Sequence, residues 1–241
     1  MTFCRATASG SRGALLLFAV LASSILGTAV GAGAAGGEPS APASTLGAAA
    51  RATQDASGFT LSEVSNNATS LSPIPGSLSI RAIYQAPDKA SAVVTQLSGG
   101  TALLSCGAKS CSSSRLVGIG SRLFAGPPKS VTSTSLVLLP QGAGFDALRS
   151  YLMYPLSVLE SARNVTRAGP VFTVRTTGST YLPASRGGSK QTAFTTITTA
   201  RVSAGFVVAV TYKQVGATGA PLASIRATYS RIGASPPVVA P

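Results

Sequence analysis

The sequence predicts an α+β fold, in which a curved antiparallel sheet has an N-terminal helix and a central helical insert packed on one face. Three observations support this. Short segments of alternating apolar and polar residues, separated by turn residues, fill most of the chain after Phe59. An Ala-rich segment precedes them and a Leu-rich segment interrupts them. Strands and helices do not alternate regularly, as they do in proteins with parallel sheets.

Residues 1–35 predict a secretory signal peptide. Arg5 and Arg12 supply positive charge, residues 14–30 form an apolar run, and Ala32, Gly33 and Ala34 provide a cleavage site of small residues. An uncleaved membrane anchor is the alternative, because the apolar run approaches the roughly 20 residues that a membrane span needs. No cysteine directly follows the run, so the acylation site of a bacterial lipoprotein is missing. We therefore expect an exported protein, periplasmic, extracellular or associated with the cell envelope.

A flexible tether and a single domain are predicted to follow. Residues 36–43 are rich in Pro, Ser and Gly, which is typical of a linker, and residues 44–241 form the domain. The Ala-rich residues 44–57 predict the first helix, because Ser44 can cap its start and Gly58 follows its end. Its apolar face is mostly alanine, so we expect this helix to lie close against a flat surface.

The strands of the first half are predicted from alternation and turn residues. The segment "GSLSIRAIYQ" places Leu78, Ile80 and Tyr84 on one face. Pro87 and Asp88 predict the turn to the next strand, because proline presets φ and aspartate can bond the backbone two residues further on. Beyond Gly99 and Gly100, the segments "TALLSC" and "SRLVGIGSRLFAGPP" are interpreted as two more strands.

Two cysteines lie between these last two strands. Cys106 and Cys111 are predicted to form a disulfide at the tip of a hairpin, since export supplies an oxidising compartment. Two free thiols are the alternative. A metal site is not expected, because the chain has no histidine and no second cysteine pair in the domain.

The Leu-rich segment predicts the helical insert. Leu148, Leu152, Leu156 and Leu159 recur at helical spacing. Pro155 interrupts this pattern, and we predict either two short helices or one kinked helix, broken near Tyr154. The leucines are interpreted as a stripe that packs on the sheet, either as plain core or as the cover of a bound ligand.

Four strands are predicted after Arg163. The third places Phe206, Val208, Val210 and Tyr212 on one face, and the fourth places Ile225 and Tyr229 on one face. The turn residues 216–221 separate these two strands.

The inventory of chemical groups predicts a protein that is not an enzyme and uses no cofactor or metal. The six acidic residues are dispersed, and without histidine there is neither a general base near neutral pH nor a Ser-His-Asp or Cys-His arrangement. The net charge of +13 comes from basic residues scattered singly along the chain. For an exported protein this favours an anionic membrane or cell-wall surface as partner over nucleic acid, or a role in solubility alone.

The order of these parts resembles the LolA-like, or lipoprotein-carrier, superfamily, which includes periplasmic lipoprotein carriers and lipoproteins that transport acyl lipids. The resemblance rests on the Ala-rich helix, on "IRAIYQAPDKASAVV", on "LVGIGSRLFAGPP", on the helical insert before "NVTRAGPVFTVRTTG" and on the closing "YSRIGASPPVVAP". It spans roughly Ser44 to Pro241. The missing lipoprotein cysteine separates this chain from the membrane-anchored carriers.

The resemblance implies that the sheet is a half-open barrel with the helices on its concave face, and that an acylated lipid or a lipoprotein tail binds in an apolar cavity between sheet and helices. The sheet would line this cavity with Leu78, Ile80, Tyr84, Phe206, Val208, Val210, Tyr212, Ile225 and Tyr229, and the cover would be Leu148, Leu152, Leu156 and Leu159. Tight packing that leaves no cavity of about 300 Å³ would contradict this hypothesis. The alternatives are an envelope interaction module with a filled core and a basic docking surface, and a sensor domain on an uncleaved anchor.

Overall fold

The computed structural model describes residues 40–67, 76–98, 104–106, 109–111, 113–127, 137–138, 145–183 and 189–239. The predicted signal peptide, residues 36–39 of the predicted tether, and the predicted turn at Gly99 and Gly100 lie outside these ranges. Within them, neither helix combines the length and the apolar character of a membrane span.

Two helices and thirteen strands make up the described part of the chain. The helices are α1 (Ala41–Gln54) and α2 (Phe145–Glu160). Before α2 come β1 (Gly58–Asn67), β2 (Gly76–Gln85), β3 (Lys89–Ser98), β4 (Leu104–Cys106), β5 (Lys109–Cys111), β6 (Ser113–Ile119), β7 (Arg122–Gly126) and β8 (Val137–Leu138). After α2 come β9 (Val165–Ala168), β10 (Val171–Pro183), β11 (Ser189–Ser203), β12 (Phe206–Gly216) and β13 (Pro221–Ser230).

Eleven of these described strands form one antiparallel sheet, in the order β8-β7-β6-β3-β2-β1-β13-β12-β11-β10-β9. The first strand pairs with the last, β1 with β13, so the two halves of the domain join at the middle of the sheet. Strands β8 and β9 lie at opposite edges, and α2 connects them in sequence. Helix α2 lies across the concave face, with Phe145 at its start next to Gly118 on β6 and Leu152 at its middle next to Tyr229 on β13. The predicted α+β class, a curved open sheet with two helices, is confirmed.

Helix α1 begins at Ala41, three residues before its predicted start, so the last part of the predicted tether is helical. Pro42 stands in the first turn, where a proline costs no backbone hydrogen bond and its fixed φ suits the helix. Leu46 and Ala50, which point to the core, are fully buried. The small alanines let the helix lie close to the sheet, as predicted.

Helix α2 is a single element, and Pro155 lies inside it. Of the two predicted alternatives, two short helices or one kinked helix, the first is therefore wrong, and the segment is one helix that continues through Pro155. Leu152 and Leu156, on either side of the proline, are both 0% exposed, and this burial offsets the backbone hydrogen bond that Pro155 cannot donate.

The segment predicted as one strand, "SRLVGIGSRLFAGPP", is a hairpin made of β6 and β7. Gly120 turns the chain with a φ of 55°, a conformation that glycine adopts without strain. Leu116 and Leu123 on the two strands both enter the main core. By contrast, the predicted turn at Pro87 and Asp88 is confirmed between β2 and β3.

Strand β12 contains an extra residue that changes which side chains face the helices. Arg201 on β11 pairs with Ala209, and Val202 pairs with Val207, so Val208 is left between the two pairs. An inserted residue of this kind reverses the alternation on one side of it. Val207 is consequently 0% exposed in the core, whereas Phe206 and Val208 are half-buried. The prediction that Phe206 and Val208 share a face with Val210 is wrong.

A smaller cluster covers part of the opposite face of the sheet, where the C-terminal segment crosses it. Val238 packs with Val117, and Ile83, Ile119 and Phe124 surround them. The N–H of Val238 donates to Oε1 of Gln85 at 3.2 Å. The C-terminal segment is thus attached to the convex face near β2 and β6.

Candidate functional site

Most of the predicted cavity residues come together as a packed core. The buried ones are Leu78, Ile80, Tyr84, Val210, Ile225 and Tyr229 on the sheet and Leu148, Leu152, Leu156 and Leu159 on α2. Tyr212 is half-buried on the same side as Val210. The four leucines of α2 are at most 2% exposed, so in this structure they hold the helix on the sheet instead of lining an open cavity.

An apolar cleft lies beside this core, between the second half of α2 and strands β11 to β13. Its lining consists of Tyr154, Pro155, Val158, Thr198, Val210, Tyr212 and Ile225. Three of these were predicted from the sequence. The four others were missed, although Tyr154 and Val158 are one turn apart on α2, next to the leucine stripe. The cleft has a cavity volume of about 10 Å³, which is room for about one water molecule.

Two tyrosines line the cleft with apolar atoms, and their phenols stay neutral at physiological pH. Burial, together with a smaller effect of the neighbouring Tyr212, raises the pKa of Tyr154 to about 12. Burial also raises the pKa of Tyr212, and a hydrogen bond with Thr196 opposes this effect. Since none of the lining side chains is charged and the lining surface is entirely apolar, the cleft favours an uncharged apolar group.

A buried carboxyl group lies under α2, near the middle of the sheet. Glu63 on β1 stands between Ile80 and Ala227 on the neighbouring strands and is 2% exposed. The hydroxyl of Tyr151 donates a hydrogen bond of 2.7 Å to its Oε1. Burial raises the pKa of Glu63 from 4.5 to about 7, although the Tyr151 bond lowers it. This carboxyl therefore changes its charge near neutral pH, inside the core.

The sequence analysis did not single out Glu63, which it counted only among the dispersed acids. The available signal was its position in a strand whose alternate residues, Phe59 and Leu61, are core residues. Burial is also the main reason why the pKa values of Tyr151 and Tyr229 lie well above 10. The pair of Glu63 and Tyr151 thus joins a titrating acid to a phenol that remains protonated.

Contacts between α1, α2 and β12 fix the helices next to the cleft. The hydroxyl of Thr53 accepts a hydrogen bond of 2.9 Å from the N–H of Val207, the residue that the extra residue in β12 places in the core. Arg51 forms an ion pair of 2.8 Å with Glu160 at the end of α2. A Cβ on Gly47 would lie 3.2 Å from the carbonyl oxygen of Glu160, so a glycine permits this close approach.

The described residues do not bring together the ligands of a metal centre. Among them, no three Cys, Asp or Glu side chains gather in a way that could hold a metal ion. The arrangement of aliphatic side chains, neutral phenols and one buried carboxyl supports binding chemistry.

The predicted disulfide falls in the hairpin of β4 and β5. There Cys106 pairs with Lys109, and Cys111 pairs with Leu104. The side chains of both cysteines lie outside the described part of the structure. The disulfide between Cys106 and Cys111 therefore stays a prediction.

No protein-family model matches the chain, and no curated protein does so either. Among solved structures, the chain is similar to LprF from Mycobacterium bovis, with 13% identity and a TM-score of 0.46 over 85% of this chain and 99% of LprF. The lipoprotein LppX from Mycobacterium tuberculosis is 15% identical, with a TM-score of 0.42 over 83% of this chain and 100% of LppX. A LolA superfamily protein from Nitrosomonas europaea is 8% identical, with a TM-score of 0.25 over 78% of this chain and 91% of that protein. The LolA superfamily is also the one that the sequence resembles, but at these TM-scores the matches assign no function.

Proposed function

We propose that this chain is an exported, non-enzymatic protein of the cell envelope that binds an acyl chain, from a lipid or a lipoprotein, in the cleft between α2 and strands β11 to β13. The observation that supports this most directly is the composition of the cleft. Val158, Val210 and Ile225 provide aliphatic contacts, and no lining side chain is charged. Hydrophobic lining with a few polar groups is the usual composition of small-molecule sites.

The cleft is far smaller than the cavity of about 300 Å³ whose absence contradicts a preformed acyl site, so the proposal requires the closed cleft to open before an acyl chain enters it. Its cavity volume of about 10 Å³ compares with at least about 300 Å³ in typical ligand pockets. The opening step is a displacement of the second half of α2. Pro155 lies at the cleft and has no N–H to donate to the carbonyl of Tyr151 four residues earlier, so the helix is weakest where it must move.

The two tyrosines extend the apolar wall of the site. Tyr154 and Tyr212 both line the cleft, and their phenols are neutral. The surface that lines the closed cleft is entirely apolar, so the cleft matches the hydrocarbon part of an acyl chain.

The experiment starts from the full chain, expressed with its own N-terminal region in a bacterial host and purified from the exported fraction. Mass spectrometry then identifies the N-terminus and the lipids in an organic extract. We expect cleavage near Ala35 and a stoichiometric acyl lipid. The same protein, after delipidation, is titrated with a fluorescent fatty acid of 16 carbons.

Two variants of one cleft residue and a matched control test where the chain binds. Ile225→Arg introduces a charge, and Ile225→Trp fills the cleft without one. Both should abolish binding of the fatty acid. Val64→Arg is the control, because Val64 is 44% exposed on the opposite face of the sheet. If the wild-type protein contains no lipid and does not bind the probe, the proposal is wrong.

An envelope module with a filled core is the second candidate, and the complete burial of Leu152, Leu156 and Leu159 favours it. In that case the purified protein has no lipid, and salt-sensitive retention on cell walls is its expected property. An intact N-terminus would instead support the sensor domain on an uncleaved anchor.

A further inference from the structure

We infer that the convex face of the sheet is a docking surface for a linear anionic polymer. Five exposed cations on this surface, which we call the basic face, carry the inference: Arg81, Arg175, Arg201, Lys213 and Arg226. They belong to the five strands β2, β10, β11, β12 and β13. The inference is independent of the acyl-binding proposal, because the cleft lies on the other side of the sheet.

Alternation along the strands places these cations on the face of the sheet that points away from the helices. Arg226 stands between the buried Ile225 and Ala227, whose side chains face the core. Arg81 likewise stands between the buried Ile80 and Ala82. Successive side chains of a strand point to opposite faces, so the arginines point away from α1 and α2.

Strand pairing brings cations that are far apart in sequence into one array. Val64 on β1 pairs with Ser79 on one side and with Arg226 on the other. Arg81 is two residues along β2 from Ser79. Arg81 and Arg226 are therefore separated by two strand spacings across the sheet and two residues along the strand, which places their Cα atoms about 12 Å apart.

The same register extends the array across the second half of the sheet. Lys213 lies one strand across and two residues along from Arg226, since Thr211 pairs with Arg226. Ile197 then links Lys213 to Arg175, its partner on the next strand. From β2 to β10 the array spans five strand spacings, or roughly 24 Å.

Acidic residues are absent from this array. The acids of the described ranges are Asp55, Glu63, Asp88, Asp146 and Glu160. Glu63 is buried on the other face, and Glu160 pairs with Arg51 on α1. The other three lie elsewhere: Asp55 directly follows α1, Asp88 lies in the turn between β2 and β3, and Asp146 lies in the first turn of α2. Among the described side chains, therefore, no carboxylate lies within the basic face to cancel its positive potential.

The shape and the other residues of the basic face favour a polymer over a membrane. A convex surface touches a flat bilayer only in a small area, whereas a flexible linear chain can follow it across several strands. Several positions between the cations hold small polar residues, namely Ser62, Thr199, Thr211 and Thr228. The apolar residues that pair directly with cations of the array, such as Val64 and Ile197, are aliphatic, whereas membrane-surface segments insert aromatic side chains. Four of the five cations are arginines, whose planar groups bind anionic oxygens in pairs.

The test uses the purified full chain and inorganic polyphosphate as the probe. Binding is measured at salt concentrations from about 50 to about 300 mM. The basic-face variant is Arg81→Gln with Arg226→Gln. The control is Arg149→Gln with Arg167→Gln, which removes the same charge from α2 and from β9. We expect the basic-face variant to bind about tenfold more weakly at low salt and to reduce the salt slope by about 2. The control should change affinity less than about threefold.

Equal losses in the two variants would show that only net charge matters and would overturn the inference. Binding to vesicles of equal parts phosphatidylglycerol and phosphatidylcholine, without binding to polyphosphate, would also overturn it in favour of a membrane. Circular dichroism of both variants checks that they are folded. Since all four substituted arginines are exposed, we expect their spectra to match the wild type.

Discussion

The hydroxyl of Tyr151 on α2 donates a hydrogen bond of 2.7 Å to Oε1 of Glu63 on β1. The bond links the helix that crosses the sheet to the strand at the middle of the sheet. Because Glu63 is 2% exposed, its charge is set by this phenol and by burial, with little contribution from solvent. Stability and pH are thereby coupled through one pair of residues.

The stability of the protein should fall as the pH rises through the acidic and neutral range. The pKa of Glu63 is about 7 in the folded state, compared with 4.5 as its ordinary value. The folded state therefore holds this proton more tightly, and its advantage is complete below pH 4.5 and lost as the pH rises to about 7. The loss attributed to Glu63 is about 3 kcal/mol of unfolding free energy.

The variant Glu63→Gln isolates this contribution, because the amide does not titrate. Urea unfolding at pH 4.5, 6 and 7.5 measures the unfolding free energy of both proteins. Relative to the wild type, the unfolding free energy of the variant should increase steadily as the pH rises. A difference that stays constant over this range would show that Glu63 does not titrate there.

The variant Tyr151→Phe should be more costly at pH 8 than at pH 5. At pH 8 the carboxylate is mostly charged, and a hydrogen bond to a charged group contributes about 1.5–3 kcal/mol, against about 1 kcal/mol for a neutral pair. Urea unfolding at the two pH values measures both costs. Equal costs would contradict the assignment of the bond to the carboxylate.

The variant Thr53→Val should destabilise the protein by about 1–3 kcal/mol, because it keeps the shape of the side chain and leaves the buried N–H of Val207 without its acceptor. Thr53→Ser retains the hydroxyl and is the matched control. Thermal unfolding of the two variants should rank the valine below the serine. The reverse order would mean that the methyl group of Thr53, and not its hydroxyl, is what holds α1 in place.

The shift in β12 predicts unequal effects for two adjacent valines. Val207→Thr places a hydroxyl at a position that is 0% exposed, which should cost about 1–3 kcal/mol. Val208→Thr makes the same chemical change at a half-buried position and should cost less than about 1 kcal/mol. Chemical denaturation compares the two. A larger effect at Val208 would support the regular alternation and contradict the shift.

Features that depend on neighbours in sequence could be predicted from the sequence. The alternation in β2 and β13, the turn at Pro87 and Asp88, and the leucine stripe of α2 all follow from local patterns, and the structure contains them. The same local reasoning placed the start of α1 three residues late, because it treated Pro42 as part of a linker, although proline fits the first turn of a helix.

The sequence by itself determined the class of fold, the two helices and the apolar residues available for a core, because periodicity and turn chemistry act over a few residues. Only the tertiary structure decided that Val207 replaces Val208 in the core, that Glu63 is buried beside Tyr151, and that the cleft lies at Pro155. It also decided that scattered arginines form one face. Each of these depends on which residues of distant strands and helices become neighbours, and strand register, which is absent from local patterns, sets that pairing.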